Sequence, residues 1–477
     1  MSDLRKALTA HGYVPALLML YVLLQPALDV VTSLAAEARL PVTPGTVIRV
    51  LFLTLVVIWL VFARPYEGKG KVLLCGGAVT AYLAAFLIWS LRKGGLTLLV
   101  DNASEALKVF YALYVMLLVW GLYLQRSFLL PLWTVAACGA GYSLVILVAW
   151  LTGTSFASYN AGFGYSGWFY SANDVSTILL LTSPVLLHLC LDKLLTDTGW
   201  KKRLALSVVL FSVVFSAAFL GTKLVYLGVV AYLAAVLIWY GIRFAVTKDR
   251  KLRQGMLLVL ALLLVLAALY PISPLNAYMD AVFKPMSGED AAAMAESLAI
   301  EGVKEADRAA KNAALEAAAK GTWLGNLIDT NPLVEKVNWL LSRRLLYIAP
   351  ILQEYLDGGL WIRLMGLGYG QTADYVKDIH QLVEMEPVML LLRHGVVGFA
   401  LGYVPVLSAV VWIMIRVLRK LGAYLSDLKT CSLLFSAVVA FAASVVVGHV
   451  LQSPSVSILA VGVYALLLRL EPGKELI

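Results

Sequence analysis

Basic, acidic and glycine residues gather between about residues 343 and 386. In chain order this group contains Arg343, Arg344, Arg363, the run Gly366-Leu367-Gly368-Tyr369-Gly370, His380, Glu384 and Glu386. Arginine side chains can hold a phosphate through paired hydrogen bonds, and a carboxylate or imidazole beside them can act as a general base. The glycine run lacks the strand–helix setting and the spacing of a nucleotide-binding fingerprint, which favours a simple turn. The histidines are scattered along the chain, so no metal site is predicted.

Lys223 is a second candidate for anion binding. The sequence Gly221-Thr222-Lys223 separates two long apolar runs and predicts a tight turn followed by a helix start. A cation is disfavoured at a helix N-terminus by the helix dipole, so a lysine there would be useful beside a bound anion such as a phosphate. The alternative is a lysine whose amine simply reaches toward the membrane surface.

Two pairs of opposite charge lie in or near apolar segments, Asp29 with Arg49 and Glu105 with Lys108. Charges inside spans are costly and raise a functional hypothesis. An ion pair within each couple is the simpler interpretation.

The elements that must position these residues are membrane helices. The chain of 477 residues is 61% hydrophobic and only 14% charged, and its mean hydropathy is +0.85. A soluble domain carries about a quarter charged residues, so this composition indicates a bilayer protein. The apolar runs are about 18–22 residues long and do not alternate, which predicts helices and excludes a barrel. The net charge of +9 comes mostly from residues that flank these runs, so no nucleic-acid partner is predicted.

Hydropathy predicts an all-α, polytopic membrane protein of about 12 transmembrane helices. They lie near residues 14–31, 46–63, 72–91, 105–124, 129–151, 173–191, 203–220, 222–242, 255–271, 387–415, 430–448 and 451–469. Lysine and arginine are concentrated in alternate connections, which predicts that both termini are cytoplasmic and that the number of spans is even.

This topology divides the chain into three parts. Residues 1–271 hold spans 1–9, residues 272–386 form a large extracytoplasmic loop that contributes to the active site, and residues 387–477 hold spans 10–12. Glu289 to Lys320 is rich in Ala, Glu and Lys and predicts helix. The stretch 333–356 has apolar residues at helical spacing and could lie along the membrane surface.

Short motifs follow one another along the chain and fall on one predicted face of the membrane. They are Gln25-Pro26-Ala27-Leu28-Asp29 with Ile48-Arg49, Gly167-Trp168-Phe169-Tyr170-Ser171-Ala172-Asn173-Asp174, Gly221-Thr222-Lys223, the elements Arg344, Gly366–Gly370, Val383–Glu386 and Gly395–Gly398, and Gly448–Pro454. Together they resemble the O-antigen ligase and O-antigen (Wzy-type) polymerase superfamily. The first motif resembles its Gram-positive members, which include teichuronic acid and exopolysaccharide polymerases. The likeness spans most of the chain, and the Ala-rich part at about 285–330 has no counterpart.

The resemblance implies a GT-C-like membrane fold and glycosyl transfer on the outer face of the plasma membrane. The implied donor is a glycan on undecaprenyl pyrophosphate, with no metal and no other cofactor. It implies pyrophosphate binding by Lys223 and Arg344, and Arg343 and Arg363 are added here as neighbouring cations. Many ligases of the family have a histidine about eleven residues before the Gly-x-x-Gly element, where this chain has Glu384. Glu384 is therefore the predicted base, and His380, one helical turn earlier, is the substitute candidate.

Asn173, Trp168 and Tyr369 are predicted to contact the substrate, because aromatic rings at this depth could stack on sugars. They equally suit the aromatic belt of a membrane protein. The leading hypothesis is a membrane glycosyltransferase that polymerises a cell-surface polysaccharide. The predicted partners are the lipid-linked oligosaccharide, the lipid bilayer, a flippase and a chain-length regulator. The alternatives are an O-antigen-type ligase, a transporter or flippase for the lipid-linked sugar, and a non-catalytic scaffold of an envelope assembly machine.

Overall fold

A computed structural model describes residues 13–40, 42–128, 130–158, 164–196, 199–277, 317–341, 344–369 and 384–470. Within these ranges the fold is all-α apart from one small sheet, which confirms the predicted class. The helices are α1 (Tyr13–Glu37), α2 (Pro44–Phe62), α3 (Lys69–Leu124), α4 (Leu132–Leu151), α5 (Ala172–Leu195), α6 (Trp200–Phe219), α7 (Lys223–Thr247), α8 (Arg250–Leu269), α9 (Trp323–Thr330), α10 (Pro332–Leu340), α11 (Arg344–Asp357), α12 (Leu360–Met365), α13 (Glu386–Gly402), α14 (Val404–Arg419), α15 (Leu421–Ser426), α16 (Leu428–Val446) and α17 (Pro454–Arg469).

Helix α3 is 56 residues long but folds back on itself at Gly95, whose φ of 71° and ψ of −158° are not helical. Contacts between its halves pair residues that lie about equally far before and after Gly95. Asn102 Nδ2 donates to Ser90 Oγ at 2.8 Å, and the Tyr82 and Phe110 rings lie 5.5 Å apart. The halves are therefore antiparallel and coincide with the two spans predicted at 72–91 and 105–124.

Nine helices of the described ranges are long and apolar enough to cross a membrane. The number rises to ten if α13 and α14, which are bent by 45°, form one span. In that assignment α3 is one helix, and α17 is a shorter apolar helix. The chain is thus a polytopic membrane protein, while the count of twelve spans and the orientation of the termini stay predictions.

Helix α5 lies at the centre of the bundle and packs against α4, α16 and α7. Two of its hydroxyl side chains bond within the helix: Thr177 Oγ1 donates to Asn173 O at 2.9 Å and Thr182 Oγ1 to Ile178 O at 2.8 Å. Gly139 on α4 faces Thr182, and a Cβ added at Gly139 would lie 2.3 Å from Thr182 Oγ1. Small residues at such a crossing let two membrane helices approach closely.

The predicted loop at 272–386 is described only in part. Its described portion folds into the short helices α9 to α12, and most of the predicted helix at Glu289 to Lys320 lies outside the described residues. The stretch at 333–356 is divided between α10 and α11. The one described sheet, not predicted, pairs β1 (Phe156–Ala157) with antiparallel β2 (Tyr165–Gly167) and brings the chain to the start of α5.

Candidate active site

Five segments meet at one end of the bundle and supply the ionisable residues of the candidate site. They are the starts of α5, α7, α11 and α13 and the connection between α16 and α17. Three of these segments connect helices of the bundle, whereas the starts of α11 and α13 belong to or follow the predicted loop at 272–386.

Arg344 and Glu384 form the first contact of the site. Arg344 donates from Nε to Glu384 Oε2 at 2.9 Å, and its Nη2 donates to the same oxygen. The two side chains are 17% and 22% exposed. Burial alone would raise the pKa of the Glu384 carboxyl, but the nearby His449 imidazole and the charge of Arg344 outweigh burial and hold that pKa below its usual range. Glu384 is therefore a carboxylate at neutral pH.

His449 lies between two carboxylates. Its Nδ1 is 2.8 Å from Asp174 Oδ1, and its Nε2 is 3.8 Å from Glu384 Oε1. Burial disfavours the charged imidazole, but Asp174 and Glu384 more than compensate and raise the pKa of His449 to about 10. His449 is therefore an imidazolium at neutral pH.

Unusual backbone geometry sets the position of His449. Gly448 and His449 both have positive φ, 81° and 63°, and a Cβ added at Gly448 would lie 1.9 Å from the Glu384 carbonyl oxygen. Only glycine fits this close approach of two backbones. The imidazole is consequently fixed beside Glu384 by the chain itself.

Glu386 holds the connection between α16 and α17, which carries His449. Its Oε1 accepts the backbone N–H groups of Val450 at 2.7 Å, Leu451 at 2.5 Å and Gln452 at 3.1 Å. The side chain is fully buried. A carboxylate that receives three consecutive amides makes a rigid clamp, because charge-assisted hydrogen bonds are stronger than neutral ones. Glu386 thus positions His449 rather than facing a substrate.

A cavity of about 720 Å³, named here the basic cavity, brings four predicted site residues together: Asn173, Lys223, Arg344 and Glu384. Apart from Ser176, Thr222 and Tyr347, the rest of its lining is apolar and comes mainly from α5, α7 and α16. It includes Leu180, Leu227, Ala231, Phe435, Val439 and Val446. Leu227 is 61% exposed, so the cavity has a wall at the outside of the bundle. The basic cavity can hold an anion at one end and an apolar chain along the other.

Lys223 is the first residue of α7, as its position after Gly221-Thr222 predicts. Gly221 has a φ of 81°, and the Thr222 hydroxyl is 2.7 Å from Ser176 Oγ on α5. This pair of hydroxyls fixes the turn against the central helix. Lys223 and Asn173 therefore open into the same space from neighbouring helix starts.

A second cavity, of about 610 Å³, lies on the other side of His449 and is named here the paired-charge cavity. It is lined by α1, α2, the second half of α3, the start of α5 and the α16–α17 connection. Asp29, Arg49, Asp174 and His449 are among its lining residues. Glu384 lines the basic cavity and Asp174 lines this one, so His449 lies at the boundary between them.

Three predicted site residues of the described ranges do not line the basic cavity: Arg363, Trp168 and Tyr369. Arg363 donates from Nη2 to Leu356 O at 3.0 Å. Trp168 donates from Nε1 to Thr154 Oγ1 at 2.9 Å, while its neighbours Phe169 and Tyr170 line the paired-charge cavity. The remaining candidates Arg343 and His380 lie outside the described residues.

Residues 366–369 pack into a break in α13 at Gly395, whose φ of 66° and ψ of −172° are not helical. The backbone N–H groups of Leu367 and Gly368 donate to Leu392 O at 2.9 Å and Arg393 O at 3.0 Å. The Tyr369 hydroxyl lies 3.0 Å from His394 Nε2. The turn favoured from the sequence is present here, with Gly366 and Gly368 at φ values of 83° and 73°. This segment supports the helix break and lies apart from the residues that line the basic cavity.

Sequence reasoning did not select Asp174 and His449 as site residues. Both are part of short motifs that carry the family resemblance, and this was the only available signal. Hydropathy places each at the end of an apolar run, but it cannot show that the two ends meet.

Comparison of the sequence with known proteins identifies the family of this chain. Residues 11–471 match the model of the family described as O-antigen ligase like membrane protein. The chain belongs to this family. No curated protein and no solved structure matches the chain significantly.

The predicted family is thereby confirmed over nearly the whole chain of this O-antigen ligase like membrane protein. At a coarse level the family makes the chain a glycosyl-transferring membrane enzyme that acts on lipid-linked polysaccharide.

Proposed function

We propose that the protein polymerises a cell-surface polysaccharide by transferring a glycan from undecaprenyl pyrophosphate to a hydroxyl of a lipid-linked acceptor. The observation that carries the proposal is the basic cavity, where Lys223, Arg344, Glu384 and Asn173 come together from four segments. A polymerase is preferred to a ligase because the first motif resembles the Gram-positive members, which have no lipid A to modify.

The charges of the basic cavity suit a diphosphate leaving group. Lys223 and Arg344 both line the cavity, and His449 adds a third positive charge at its boundary. Fixed cations in a partly dehydrated site stabilise charge that develops on a leaving group. A diphosphate is already a fair leaving group, so in this proposal these side chains replace a metal ion.

Glu384 is the proposed base. Its Oε2 is held by Arg344, while its Oε1 is turned toward His449. The acceptor hydroxyl gives its proton to Oε1 as its oxygen bonds to the anomeric carbon of the donor. The bond from that carbon to the diphosphate breaks, and the electron pair leaves with the diphosphate. The proton balance closes when Glu384 releases its proton to water.

Donor binding also activates this base. Burial raises the pKa of the Glu384 carboxyl, but the contacts with His449 and Arg344 lower it overall, and Arg344 contributes through Nε and Nη2. A diphosphate between Lys223 and Arg344 competes for the guanidinium and weakens its hold on Glu384. The pKa of Glu384 then rises, and the carboxylate becomes a stronger base when the donor is in place.

The apolar walls of the basic cavity suit the polyprenyl chain. On α16 they extend from Val446 to Phe435, and the eleven helical steps between these residues span about 16 Å. A polyprenyl chain in this groove would bring its diphosphate to the level of Lys223 and Arg344. In the proposed topology this level is the outer surface of the plasma membrane, where a flippase delivers the lipid-linked unit and a chain-length regulator acts on the product.

The test uses the purified full chain in lipid nanodiscs with lipid-linked glycan extracted from cells that lack it. We expect chain extension in the presence of EDTA. Lys223→Ala, Arg344→Ala and Glu384→Gln should each lower kcat/KM about 100-fold, because a cation that would stabilise the leaving diphosphate or the base is removed.

Lys201→Ala is the matched control, since Lys201 is also in the first turn of a helix but at the α6 start and lines neither cavity. It should extend chains at the normal rate. The site assignment is wrong if Glu384→Gln and Lys223→Ala both extend chains at the normal rate.

A further inference from the structure

The paired-charge cavity and the basic cavity have no lining residue in common, but they adjoin through the contact between His449 and Glu384. Asp174 and His449 line the paired-charge cavity, Glu384 lines the basic cavity, and His449 lies between the two carboxylates. Two cavities of similar volume therefore meet at the group that faces the proposed base. A transferase needs such an arrangement, because donor and acceptor must approach one point from different directions.

The charges of the paired-charge cavity cancel within it. Arg49 is paired with Asp29, Lys108 with Glu105 at 2.6 Å, and His449 with Asp174. The Ser455 hydroxyl bridges the Asp29–Arg49 pair, since it is 2.7 Å from Arg49 Nη2 and 2.9 Å from Asp29 Oδ1. The cavity therefore offers no net positive charge to a phosphate.

Unused hydrogen-bond donors nevertheless surround this cavity. Arg49 Nε and Gln452 Nε2 are buried and have no hydrogen-bond partner among the described residues. A buried donor without a partner is costly, and a ligand oxygen that accepts from it removes the cost. Two such donors in a cavity without net charge suit hydroxyl and ring oxygens.

An aromatic ring lies at the mouth of the cavity. Tyr170 lines it and is 72% exposed, and its backbone N–H donates to Ser33 Oγ at 2.9 Å. The backbone is thus fixed while the ring face stays open. Aromatic rings with an open face pack against the apolar faces of sugars.

We propose that the paired-charge cavity binds the acceptor glycan through an uncharged, hydroxyl-rich end. This inference rests on the proposed function, and it assigns the two substrates to opposite sides of His449. The acceptor hydroxyl reaches the Asp174–His449 wall, gives its proton to Glu384 and bonds to the anomeric carbon presented from the basic cavity. The bond to the diphosphate breaks, and the diphosphate stays on the side of Lys223.

The experiment separates the two substrates kinetically. The donor is the lipid-linked glycan from cells that lack the chain, and the soluble acceptor is the same glycan after mild-acid release from its lipid. Tyr170→Ala should raise the KM for the released glycan about tenfold, and Gln452→Leu should raise it severalfold. Both should leave the KM for the donor within twofold of normal. Inorganic pyrophosphate should compete with the donor and not with the released glycan.

Tyr165→Ala is the matched control, because Tyr165 is a tyrosine of the same connection that lines neither cavity. It should change neither KM. A rise in the donor KM alone in Tyr170→Ala and Gln452→Leu would assign this cavity to the donor and overturn the inference, as would an equal change in both KM values. Failure of the proposed function looks different, since the unaltered protein would then transfer no glycan at all.

Discussion

Two groups of ionisable residues lie along helix α13. One is at the start of the helix, and the other is at its break at Gly395. At the start, Glu384 lines the basic cavity, and Glu386 clamps the connection that carries His449. At the break, Arg393 and His394 are 1% and 0% exposed. Arg393 Nη1 donates to Gly368 O at 2.8 Å, so its charge is used to hold the glycine run in place.

The difference between the two regions lies in what the polar groups face. At the start of α13 they border open space between five segments, and His449 Nε2 has no hydrogen-bond partner among the described residues. At the break, Tyr369 and Tyr82 enclose both ring nitrogens of His394. Similar residue types thus border two cavities in one region and hold a backbone break in the other. Substitutions should separate the two regions by their effects on folding and on rate.

The largest expected effect is at the break. Gly366 has a φ of 83°, and a Cβ there would lie 2.2 Å from the Arg393 carbonyl group. Gly366→Ala should destabilise the fold by about 3 kcal/mol or more, because neither backbone can move away. Thermal unfolding followed by fluorescence-detected size exclusion measures the loss. Gly359→Ala, where no atom lies within 4 Å, should unfold normally; equal stability of the two variants would mean that the break tolerates rearrangement.

A smaller effect is expected at the clamp. Glu386→Gln keeps an oxygen for the three amides of residues 450–452 but removes the charge that strengthens those bonds. We expect a stability loss of about 1–3 kcal/mol and a several-fold fall in the transfer rate, because His449 is carried by the released connection. Unfolding and chain-extension assays on the same sample measure both. Glu335→Gln on exposed α10 is the control, and a normal rate in Glu386→Gln would contradict the positioning role.

The smallest expected effect is a pH dependence of stability that comes from His449. Its pKa in the folded protein is raised from about 6.5 to about 10 by Asp174 and Glu384, so its stabilisation is fully present below about pH 6.5. The contribution is lost as the pH rises from there through about 10. Unfolding temperatures measured from pH 6 to pH 10 should therefore fall, and His449→Gln should flatten that fall. An unchanged slope in the variant would show that His449 does not carry the charge.

The helices could be predicted from the sequence because long apolar runs must satisfy their backbone in lipid. The folding back of α3 at Gly95 was also predictable, since two apolar runs flank Arg92 and Lys93. The small sheet was not, because β1 and β2 are too short for any periodicity. Of the four short loop helices, helical spacing at 333–356 predicted the region of α10 and α11. Their division and packing could not be predicted, because they depend on contacts remote in sequence.

Site residues could be predicted from the sequence where an ionisable residue lies at the predicted end of a membrane span. Lys223 stands out because a cation at a helix start has no local reason to be there, and Glu384 stands out only through the family spacing. Arg363 and Tyr369 belong to the same run in sequence but face other parts of the fold. Asp174 and His449 were missed as a pair because their contact depends on the packing of α5 against the α16–α17 connection.

The exposed position of Leu227 has a consequence for substrate supply in the proposed reaction. A cavity with a wall at the outside of the bundle opens toward acyl chains once the protein is in a bilayer, so a carrier lipid can arrive and depart sideways. Its encounter with the enzyme is then a diffusion problem in two dimensions. The supply rate depends on the surface density of the carrier and the viscosity of the leaflet, and its concentration in water has no bearing on it.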